Sequence, residues 1–380
     1  MSTSGHKSWT PNRGRLALVA PSLRGGGAER VVVDLARGLS ARGHDVDLVL
    51  ARAEGVFLAD VPPEVEVVDL QAARVAAALP GLVTYLRRRR PTAVLATMAH
   101  VNIVAVVARD FARVRTRLLV REANTISDSA ANSKNRRGRH MPRLMRYAYP
   151  RANAIIAPSQ GVAADLAALL RLPTEAIEVI PNPTLTQEML ARASEPVDHP
   201  WFDPGSPPVI VAAGRLSAQK DFATLIRAFA LVRGSCPARL VILGEGDERA
   251  ALLALSTELG VREFVDLPGF QPNPFAFMKK ASVFVLSSAW EGLPNVLIQA
   301  MALGVPVAAT DCRSGPREIL EGGRLGPLVP VGEAQRLADA ILGCLRDPVP
   351  ADVLRHASLR YDAKSVVERY ATLMLGARDA

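Results

Sequence analysis

The chain has 380 residues and a net charge of +9, and this length predicts two domains because a single hydrophobic core rarely grows so large. No apolar run of about 18 residues lacks proline, charge or polar interruptions, and the polar segment 1–12 predicts a disordered tail, so neither a transmembrane helix nor a signal peptide is expected. Three scattered cysteines without metal-ligand spacing favour a reducing cytosol, and the positive charge indicates an anionic partner or surface.

The first predicted strand, residues 15–20, is followed by a glycine run that includes Gly26 and Gly27, and then by an amphipathic helix. Glycines between a strand and a helix let a backbone approach a ligand closely. A dinucleotide site would also need an acidic residue at the end of the second strand, where residues 50–52 are Leu-Ala-Arg. NAD is therefore disfavoured.

Asp45 and Asp47 form an Asp-x-Asp pair, a pattern that binds metal ions in other enzymes. Here the pair begins the predicted strand 46–50 instead of ending it, so its carboxylates would lie at the wrong edge of the sheet. No metal site is expected.

Polar residues follow the next two predicted strands. Residues 93–97 precede His100, and residues 118–120 precede Arg121, Glu122 and Asn124. Open α/β sheets bind ligands at the carboxyl ends of their strands, which favours a functional role for these side chains over a solvated turn. A structural role for the single histidine remains open.

The segment 134–151 is basic, lacks acidic residues and interleaves its arginines with Leu144, Met145, Tyr147 and Tyr149. Such a segment can lie on an anionic membrane, each cation near the surface contributing roughly 1 kcal/mol. A plain solvated face is the rival interpretation. No nucleic-acid-binding signature accompanies the segment, so a nucleic-acid partner is not expected.

Five prolines between residues 196 and 208 predict a linker. Strands and helices alternate before it and again after it, which predicts two doubly wound parallel sheets. After the linker, the strand 208–213 leads to Gly214, Arg215 and Lys220. Arginine can contact two phosphate oxygens at once and lysine adds a mobile point charge, so this loop is a candidate diphosphate site.

The stretch 286–311 reads as strand, loop, helix and strand, with Glu291 in the loop, Pro294 in the first turn of the helix and Gly304 just past its end. Free backbone N–H groups and the positive end of a helix dipole make such a loop a ready anion site. Gln299 lies two turns into the helix, on the face below the loop.

The stretch from residue 287 to residue 311 resembles the nucleotide-binding segment of the retaining glycosyltransferases of family 4. Their signature is Glu-x7-Glu followed by Ala-Met-Ala-x-Gly-x-Pro-Val, and the one departure here is Gln299 in place of the second Glu. The Gly-Arg-Leu-x-x-x-Lys string at residues 214–220 and the Gly-Gly-Ala-Glu-Arg string at residues 26–30 resemble the same family. The resemblance implies a GT-B fold, in which two Rossmann-like domains face across a cleft.

The resemblance also implies the site residues. Glu291, Arg215 and Lys220 would be catalytic, and the acceptor or sugar would face His100, Arg121, Glu122 and Asn124. The donor would be bound by Gly26, Gly27, Gly214, Arg215, Lys220, Phe270, Glu291, Gly292, Leu293, Pro294, Asn295 and Gln299. No metal or other cofactor is expected.

By the same resemblance, the enzyme transfers a hexose or N-acetylhexosamine from a nucleotide diphosphate sugar, with UDP favoured, and forms an α-glycosidic bond with retention. A neutral Gln299 loses a charge-assisted bond to the nucleotide ribose, which predicts weaker donor affinity. A catalytically silent partner protein that binds nucleotide sugar is the main alternative, and an NAD-dependent oxidoreductase is a more distant one.

The expected domains are a tail at 1–12, an acceptor domain at 13–198, a nucleotide-sugar domain at 199–360 and a last helix, 361–380, that packs back on the first domain. The expected partners are the donor, a glycan or polyprenyl-diphosphate-linked acceptor and an anionic membrane contacted through residues 134–151. These expectations place the enzyme on the inner face of a bacterial plasma membrane.

Overall fold

The computed structural model describes residues 14–131 and 140–376. The predicted tail 1–12 lies outside the described residues, as does the part of the basic segment from 134 to 139.

The first sheet has seven strands in the order β3-β2-β1-β4-β5-β6-β7. The pairings among β1 to β5 are parallel. The strands are β1 (Leu16–Ala20), β2 (Val46–Leu50), β3 (Glu66–Asp69), β4 (Ala93–Thr97), β5 (Arg117–Arg121), β6 (Ala154–Ala157) and β7 (Ile177–Val179).

Seven α-helices accompany these strands along the described part of the chain. They are α1 (Gly27–Ala41), α2 (Leu79–Arg89), α3 (Ala99–Ala112), α4 (Ile126–Ala131), α5 (Met141–Ala148), α6 (Gln160–Leu170) and α7 (Gln187–Arg192).

The second sheet has six strands in the order β10-β9-β8-β11-β12-β13, all paired in parallel. They are β8 (Val209–Ala213), β9 (Arg239–Leu243), β10 (Val265–Gly269), β11 (Val283–Leu286), β12 (Val307–Thr310) and β13 (Leu328–Val329). The helices that follow in the chain are α8 (Phe222–Arg233), α9 (Arg249–Glu258), α10 (Pro274–Lys279), α11 (Asn295–Ala302), α12 (Pro316–Ile319), α13 (Ala334–Arg346), α14 (Ala351–Ser358) and α15 (Ala363–Leu375).

The described residues form two compact units. The first comprises residues 14–121, 143–155 and 367–376, and the second comprises 122–131, 140–142 and 156–366. The domain boundary expected between residues 198 and 199 stays a prediction.

The second sheet buries both faces, as expected of parallel strands covered by helices. Alternate residues of β8 point to opposite cores: Val209 and Val211 pack with one cluster that includes Leu297 of α11, while Ile210 packs with another that includes Phe229 of α8. The continuous apolar runs in the sequence therefore follow from burial on two sides. This packing on both faces fixes the positions of the strand ends, from which the loops of the candidate site extend.

Asp47 lies inside β2 and is fully buried. Its carboxylate accepts hydrogen bonds from Arg15 Nη1 at 2.6 Å and from the Tyr85 hydroxyl at 2.8 Å. Burial and this hydrogen bond raise the pKa of Tyr85. The Asp-x-Asp pair thus contributes a buried polar network to the first unit, since the carboxylate of Asp47 is already engaged by protein groups.

The end of α15 packs within the first unit. Arg117 Nε donates to the backbone oxygen of Leu373 at 3.0 Å, and Arg121 Nε donates to the Tyr370 hydroxyl at 3.0 Å. Arg121 and Tyr370 are both fully buried. Burial raises the pKa of the Tyr370 hydroxyl, which keeps this group protonated beside the guanidinium.

No helix in the described ranges is long and apolar enough to cross a lipid bilayer.

Candidate active site

Two neighbouring strands of the second sheet, β8 and β11, place their following loops side by side. The loop after β8 carries Gly214, Arg215 and Lys220, and the loop after β11 carries Glu291. Lys220 Nζ lies 2.5 Å from Glu291 Oε1. The structure therefore brings together two of the three predicted catalytic side chains.

Glu291 is held by a second donor. The Ser288 hydroxyl donates to the same oxygen, Oε1, at 2.7 Å. The other oxygen, Oε2, forms no hydrogen bond with any residue in the described part of the chain. The Glu291 side chain is only 7% exposed, so these two donors replace much of the water that a surface carboxylate would contact.

The backbone of the Glu291 loop is fixed through its carbonyl groups. Each of these oxygens accepts a hydrogen bond from a side chain of the surrounding structure. The pairs are Ser288 O with Thr310 Oγ1 (2.6 Å), Trp290 O with Gln219 Nε2 (3.0 Å), Glu291 O with Thr125 Oγ1 (3.4 Å), and Gly292 O with Ser314 Oγ (2.9 Å) and Ser159 Oγ (3.0 Å).

The N–H groups of the same loop are open. Those of Glu291, Gly292 and Leu293 donate to no protein atom within residues 14–131 and 140–376. They precede α11, whose N-terminal end adds a partial positive charge. Open N–H groups, a helix end and the cations of the neighbouring loop together suit an anionic ligand such as a diphosphate.

Gly292 is required for this arrangement. A Cβ at this position would lie 2.2 Å from the backbone oxygen of Ala123, far closer than any real contact. Gly214 leaves room for the Lys220 side chain, whose Cε would lie 2.9 Å from an added Cβ. Both predicted glycines thus serve close packing around the site.

Arg215 is exposed, and its guanidinium forms no hydrogen bond or ion pair with the residues that the structure describes. Lys220, by contrast, is engaged with Glu291. The predicted diphosphate pair therefore consists of one open cation and one that already has a protein partner.

Three further residues that were predicted to bind the nucleotide sugar differ in their surroundings. Asn295 Oδ1 accepts hydrogen bonds from Asn182 Nδ2 at 2.6 Å and from Thr184 Oγ1 at 3.3 Å, so this oxygen is committed to the protein. The half-buried amide of Gln299 has no hydrogen bond within the described ranges. Phe270 follows β10 and is 47% exposed, as a stacking surface for a nucleotide base would be.

Leu293 and Pro294 are buried at the start of α11. The prediction that Pro294 lies in the first helical turn is wrong by one residue, because its extended ψ of 96° places it just before the helix. Gly304 has a φ of +78° beyond the helix end, as predicted for a helix C-terminus.

In the glycine run of the first unit, two backbone N–H groups are already bound by the side chain of the nearby Glu29. The N–H groups of Gly25 and Gly26 donate to Glu29 Oε2 at 2.8 and 2.7 Å. Gly27 is exposed, with open space where a Cβ would be. A phosphate could reach the N–H of Gly26 only by displacing Glu29, so Gly27 is the glycine of this run that remains open to a ligand.

The predicted acceptor-facing residues are divided between the two units. His100 is exposed in the first turn of α3, which follows Met98 with its unusual φ of +82°. Arg121 is fully buried, and its bond to Tyr370 favours a structural role over contact with an acceptor. In the second unit Glu122 is buried, and the side-chain oxygen of Asn124 accepts from the N–H of Thr125 at 3.0 Å.

Among the residues that the structure describes, no three histidine, cysteine, aspartate or glutamate side chains group as metal ligands. A metal-independent reaction stays a prediction.

Sequence reasoning missed the residues that hold the loop. The contact of Ser288 could have been found from the local sequence, since Ser288 lies three residues before Glu291 and just beyond the end of a strand. Ser159, Thr310 and Ser314 reach the loop from distant parts of the chain, and nothing in the local sequence pattern indicates those contacts.

Comparison with known proteins adds a family context. A model described as Glycosyltransferase Family 4 matches residues 25–188, and one described as Glycosyl transferases group 1 matches residues 207–347. The chain is 30% identical over 378 residues to N-acetylgalactosamine-N,N'-diacetylbacillosaminyl-diphospho-undecaprenol 4-alpha-N-acetylgalactosaminyltransferase of Campylobacter jejuni, covering 96% of this chain and 98% of that one. An uncharacterized glycosyltransferase of Methanocaldococcus jannaschii is 36% identical over 177 residues, which span less than half of either chain, 46% and 44%.

Solved structures resemble the chain over nearly its whole length. Anabaena HepE in complex with UDP has a TM-score of 0.71 at 24% identity, covering 94% of this chain and 98% of HepE. WaaG, a glycosyltransferase of lipopolysaccharide biosynthesis, has a TM-score of 0.76 at 18% identity, covering 95% of this chain and all of WaaG, 100%. At these identities the likeness is one of fold.

Proposed function

Because the chain belongs to family 4 of the glycosyltransferases, which have the GT-B fold, we propose that it transfers a hexose or N-acetylhexosamine from a UDP-sugar to a glycan or lipid-linked acceptor, with retention and without a metal ion. The observation that carries the proposal is the contact of Lys220 with Glu291 beside the open N–H groups of the Glu291 loop. Cations and N–H donors face the leaving group, while a carboxylate lies beside them for the sugar.

The leaving diphosphate gains negative charge in the transition state. In the proposal, the exposed guanidinium of Arg215 and the ammonium of Lys220 contact its oxygens, and the N–H groups of Gly292 and Leu293 add neutral donors. Fixed donors of this kind act without reorganisation, and removing one typically costs about 3–4 kcal/mol of barrier. They supply what a metal ion provides in other transferases.

The sugar develops positive charge as the bond to the diphosphate breaks. Glu291 would stabilise that charge and accept hydrogen bonds from sugar hydroxyls through its open oxygen, Oε2. With retention, the acceptor hydroxyl attacks from the face that the diphosphate leaves, and the departing phosphate oxygen takes its proton. No separate protein base is then required.

The names of the relatives support the choice of substrates. The Campylobacter relative is an α-N-acetylgalactosaminyltransferase that acts on a diphospho-undecaprenol-linked sugar, and the HepE structure contains UDP. A UDP-linked donor and an acceptor on a polyprenyl diphosphate therefore fit this chain best. The pathway would be the synthesis of a bacterial surface polysaccharide or lipopolysaccharide.

Calorimetric titration with UDP, GDP and ADP in the presence of EDTA tests the donor site. We expect UDP to bind most tightly, and Arg215→Ala and Lys220→Ala to weaken that binding at least tenfold each. Arg227→Ala and Lys280→Ala are matched controls, because both side chains are exposed in the second unit and neither belongs to the proposed site. If no nucleotide binds, the proposal is wrong.

Gln299 supports a second candidate, a silent partner protein that binds nucleotide sugar without transferring it. An acceptor assay with the donor that calorimetry identifies separates the two candidates. Transfer of a sugar to the acceptor supports the transferase. Tight binding of the donor with no transfer to any of several lipid-linked acceptors supports the silent partner. Binding of NADH would instead support an oxidoreductase.

We also propose that the enzyme contacts an anionic membrane from the inner face of the plasma membrane through the segment 134–151. Within its described part, Leu144 and Tyr147 are 49% and 60% exposed, and Arg143, Arg146 and Arg151 are exposed beside them. Large apolar side chains among cations suit the headgroup region of a bilayer.

Sedimentation with vesicles tests this contact. We expect binding to vesicles that contain phosphatidylglycerol but not to pure phosphatidylcholine vesicles, with a loss of binding in the double variant Leu144→Ser/Tyr147→Ser. The control is Leu231→Ser, which removes a similarly exposed apolar side chain, 43%, from α8. Equal binding by all variants would support the solvated-face interpretation.

A further inference from the structure

We infer that Ser288 is a positioning residue for Glu291: its hydroxyl holds one carboxylate oxygen, Oε1, so that the other, Oε2, is left for the donor sugar. The inference rests on the proposed function, in which Glu291 contacts that sugar. It assigns different tasks to the two oxygens of one carboxylate.

The geometry of Ser288 suits this task. The residue is fully buried two positions after the end of β11, and its Oγ lies 2.7 Å from Glu291 Oε1. A serine side chain has one rotatable bond before its oxygen, so little freedom remains once the backbone is fixed. Thr310 fixes it, donating to the Ser288 backbone oxygen at 2.6 Å from the end of β12.

Lys220 alone could not hold Glu291 during the reaction. Its Nζ contacts the same Oε1 at 2.5 Å, but the proposed function also requires this ammonium at the diphosphate. A lysine is a mobile point charge on a flexible stem, so its bond to Glu291 weakens when a stronger anion arrives. Ser288 has no such second task and keeps Oε1 in place.

The preceding residue, Ser287, holds the other member of the ion pair. Its hydroxyl donates to the backbone oxygen of Lys220 at 2.7 Å. Two consecutive serines at the end of β11 thus fix the lysine backbone and the glutamate carboxylate separately. The lysine side chain can turn toward the diphosphate while both anchors stay unchanged.

The test compares the binding of UDP and of the intact UDP-sugar with turnover in Ser288→Ala. We expect the dissociation constant for UDP to stay within about twofold of wild type, while kcat falls by roughly tenfold to a hundredfold because Glu291 loses a hydrogen bond to its charged form. Any gain in affinity that the sugar adds over UDP alone should also shrink. Ser288→Thr, which keeps the hydroxyl, should restore turnover.

Ser282→Ala is the matched control, because Ser282 directly precedes β11 and its removal deletes the same hydroxyl from the opposite end of the strand. Thermal unfolding checks that each variant folds, and Ser288→Cys, nearly isosteric with a weak donor, replaces Ser288→Ala if the latter does not.

Wild-type kcat and sugar affinity in the Ser288 variant would overturn the inference and leave the proposed function standing. Equal losses of UDP binding and turnover would also overturn it, since they indicate general disruption of the site. Absence of all nucleotide binding in the wild-type protein would overturn both.

Discussion

Lys220 Nζ and Glu291 Oε1 lie 2.5 Å apart although 71 residues separate them in the chain. The contact exists because β8 and β11 are neighbours in the second sheet, so that the loops after both strands meet at one edge. It joins the cation proposed for the leaving group to the carboxylate proposed for the sugar. The two sides of the reaction are therefore electrostatically coupled before any substrate binds.

This coupling can be measured with a double-mutant cycle. Lys220→Met alone leaves the buried carboxylate of Glu291 with Ser288 as its protein donor, so we expect it to lower the free energy of unfolding by about 1–3 kcal/mol. In a Glu291→Gln background the same substitution should cost much less, because no charge is left uncompensated. Urea unfolding of the four proteins gives the coupling energy. Additive effects would mean that the ion pair is absent in solution.

Restoring the family's second glutamate should tighten nucleotide binding. Gln299→Glu replaces an amide that has no hydrogen bond within the described ranges with a carboxylate that can accept from both ribose hydroxyls. A gain of about 1 kcal/mol corresponds to roughly fivefold in the donor KM. Gln187→Glu adds the same charge at the exposed start of α7 and controls for net charge. An unchanged KM would contradict the assigned role of this position.

Two glycine substitutions should have opposite effects. Gly292→Ala would place a Cβ 2.2 Å from the Ala123 backbone oxygen, so we expect a displaced loop, a lower melting temperature and loss of turnover. Gly343 lies inside α13 with nothing within 4 Å of an added Cβ, so Gly343→Ala should stabilise the protein by about 0.5–1 kcal/mol. Calorimetric melting with an activity assay checks both. A fully active Gly292→Ala protein would show that the loop packs differently.

The three cysteines should differ in reactivity. Burial, together with the charge of Glu291, raises the pKa of the Cys312 thiol to about 12, and burial raises that of Cys344 to about 11. Since the thiolate is the nucleophile, almost none forms at these two positions until the pH approaches those values. At pH 8 iodoacetamide should therefore modify the half-exposed Cys236 first. Mass spectrometry should find one modified cysteine in the native protein and three in urea, whereas rapid native labelling of Cys312 would contradict this environment.

The GT-B fold and membership of the glycosyltransferases were predictable from the sequence, and both are confirmed. Local chemistry explains why. Apolar runs indicated buried strands, and Gly304 indicated the end of α11 because glycine readily adopts the positive φ that the structure shows there. The loops with Lys220 and Glu291 could be recognised because each contains a short contiguous motif. Their contact followed from both loops lying at the carboxyl ends of strands.

Other features depend on residues far apart in sequence. Arg121 is the last residue of β5 and was expected at the acceptor, but it is buried and donates a hydrogen bond to Tyr370, 249 residues later. Asn295 was expected to bind the nucleotide-sugar donor, but its side-chain oxygen accepts a hydrogen bond from Asn182. Burial of a polar side chain by a distant element has no periodic signal, so only the three-dimensional structure reveals it.

The hydroxyls of Ser314 and Ser159 lie 2.9 Å and 3.0 Å from the Gly292 carbonyl oxygen and 2.8 Å from each other, so either can donate to that oxygen. The loss of one hydroxyl therefore still leaves the other in place to donate to the carbonyl. During evolution, Ser314 could be replaced by alanine at little cost as long as Ser159 stays. Once Ser314 is lost, replacement of Ser159 would leave the carbonyl without either hydroxyl. Substitution histories at these two positions, 155 residues apart, should therefore depend on each other, although neither side chain is proposed to touch a substrate.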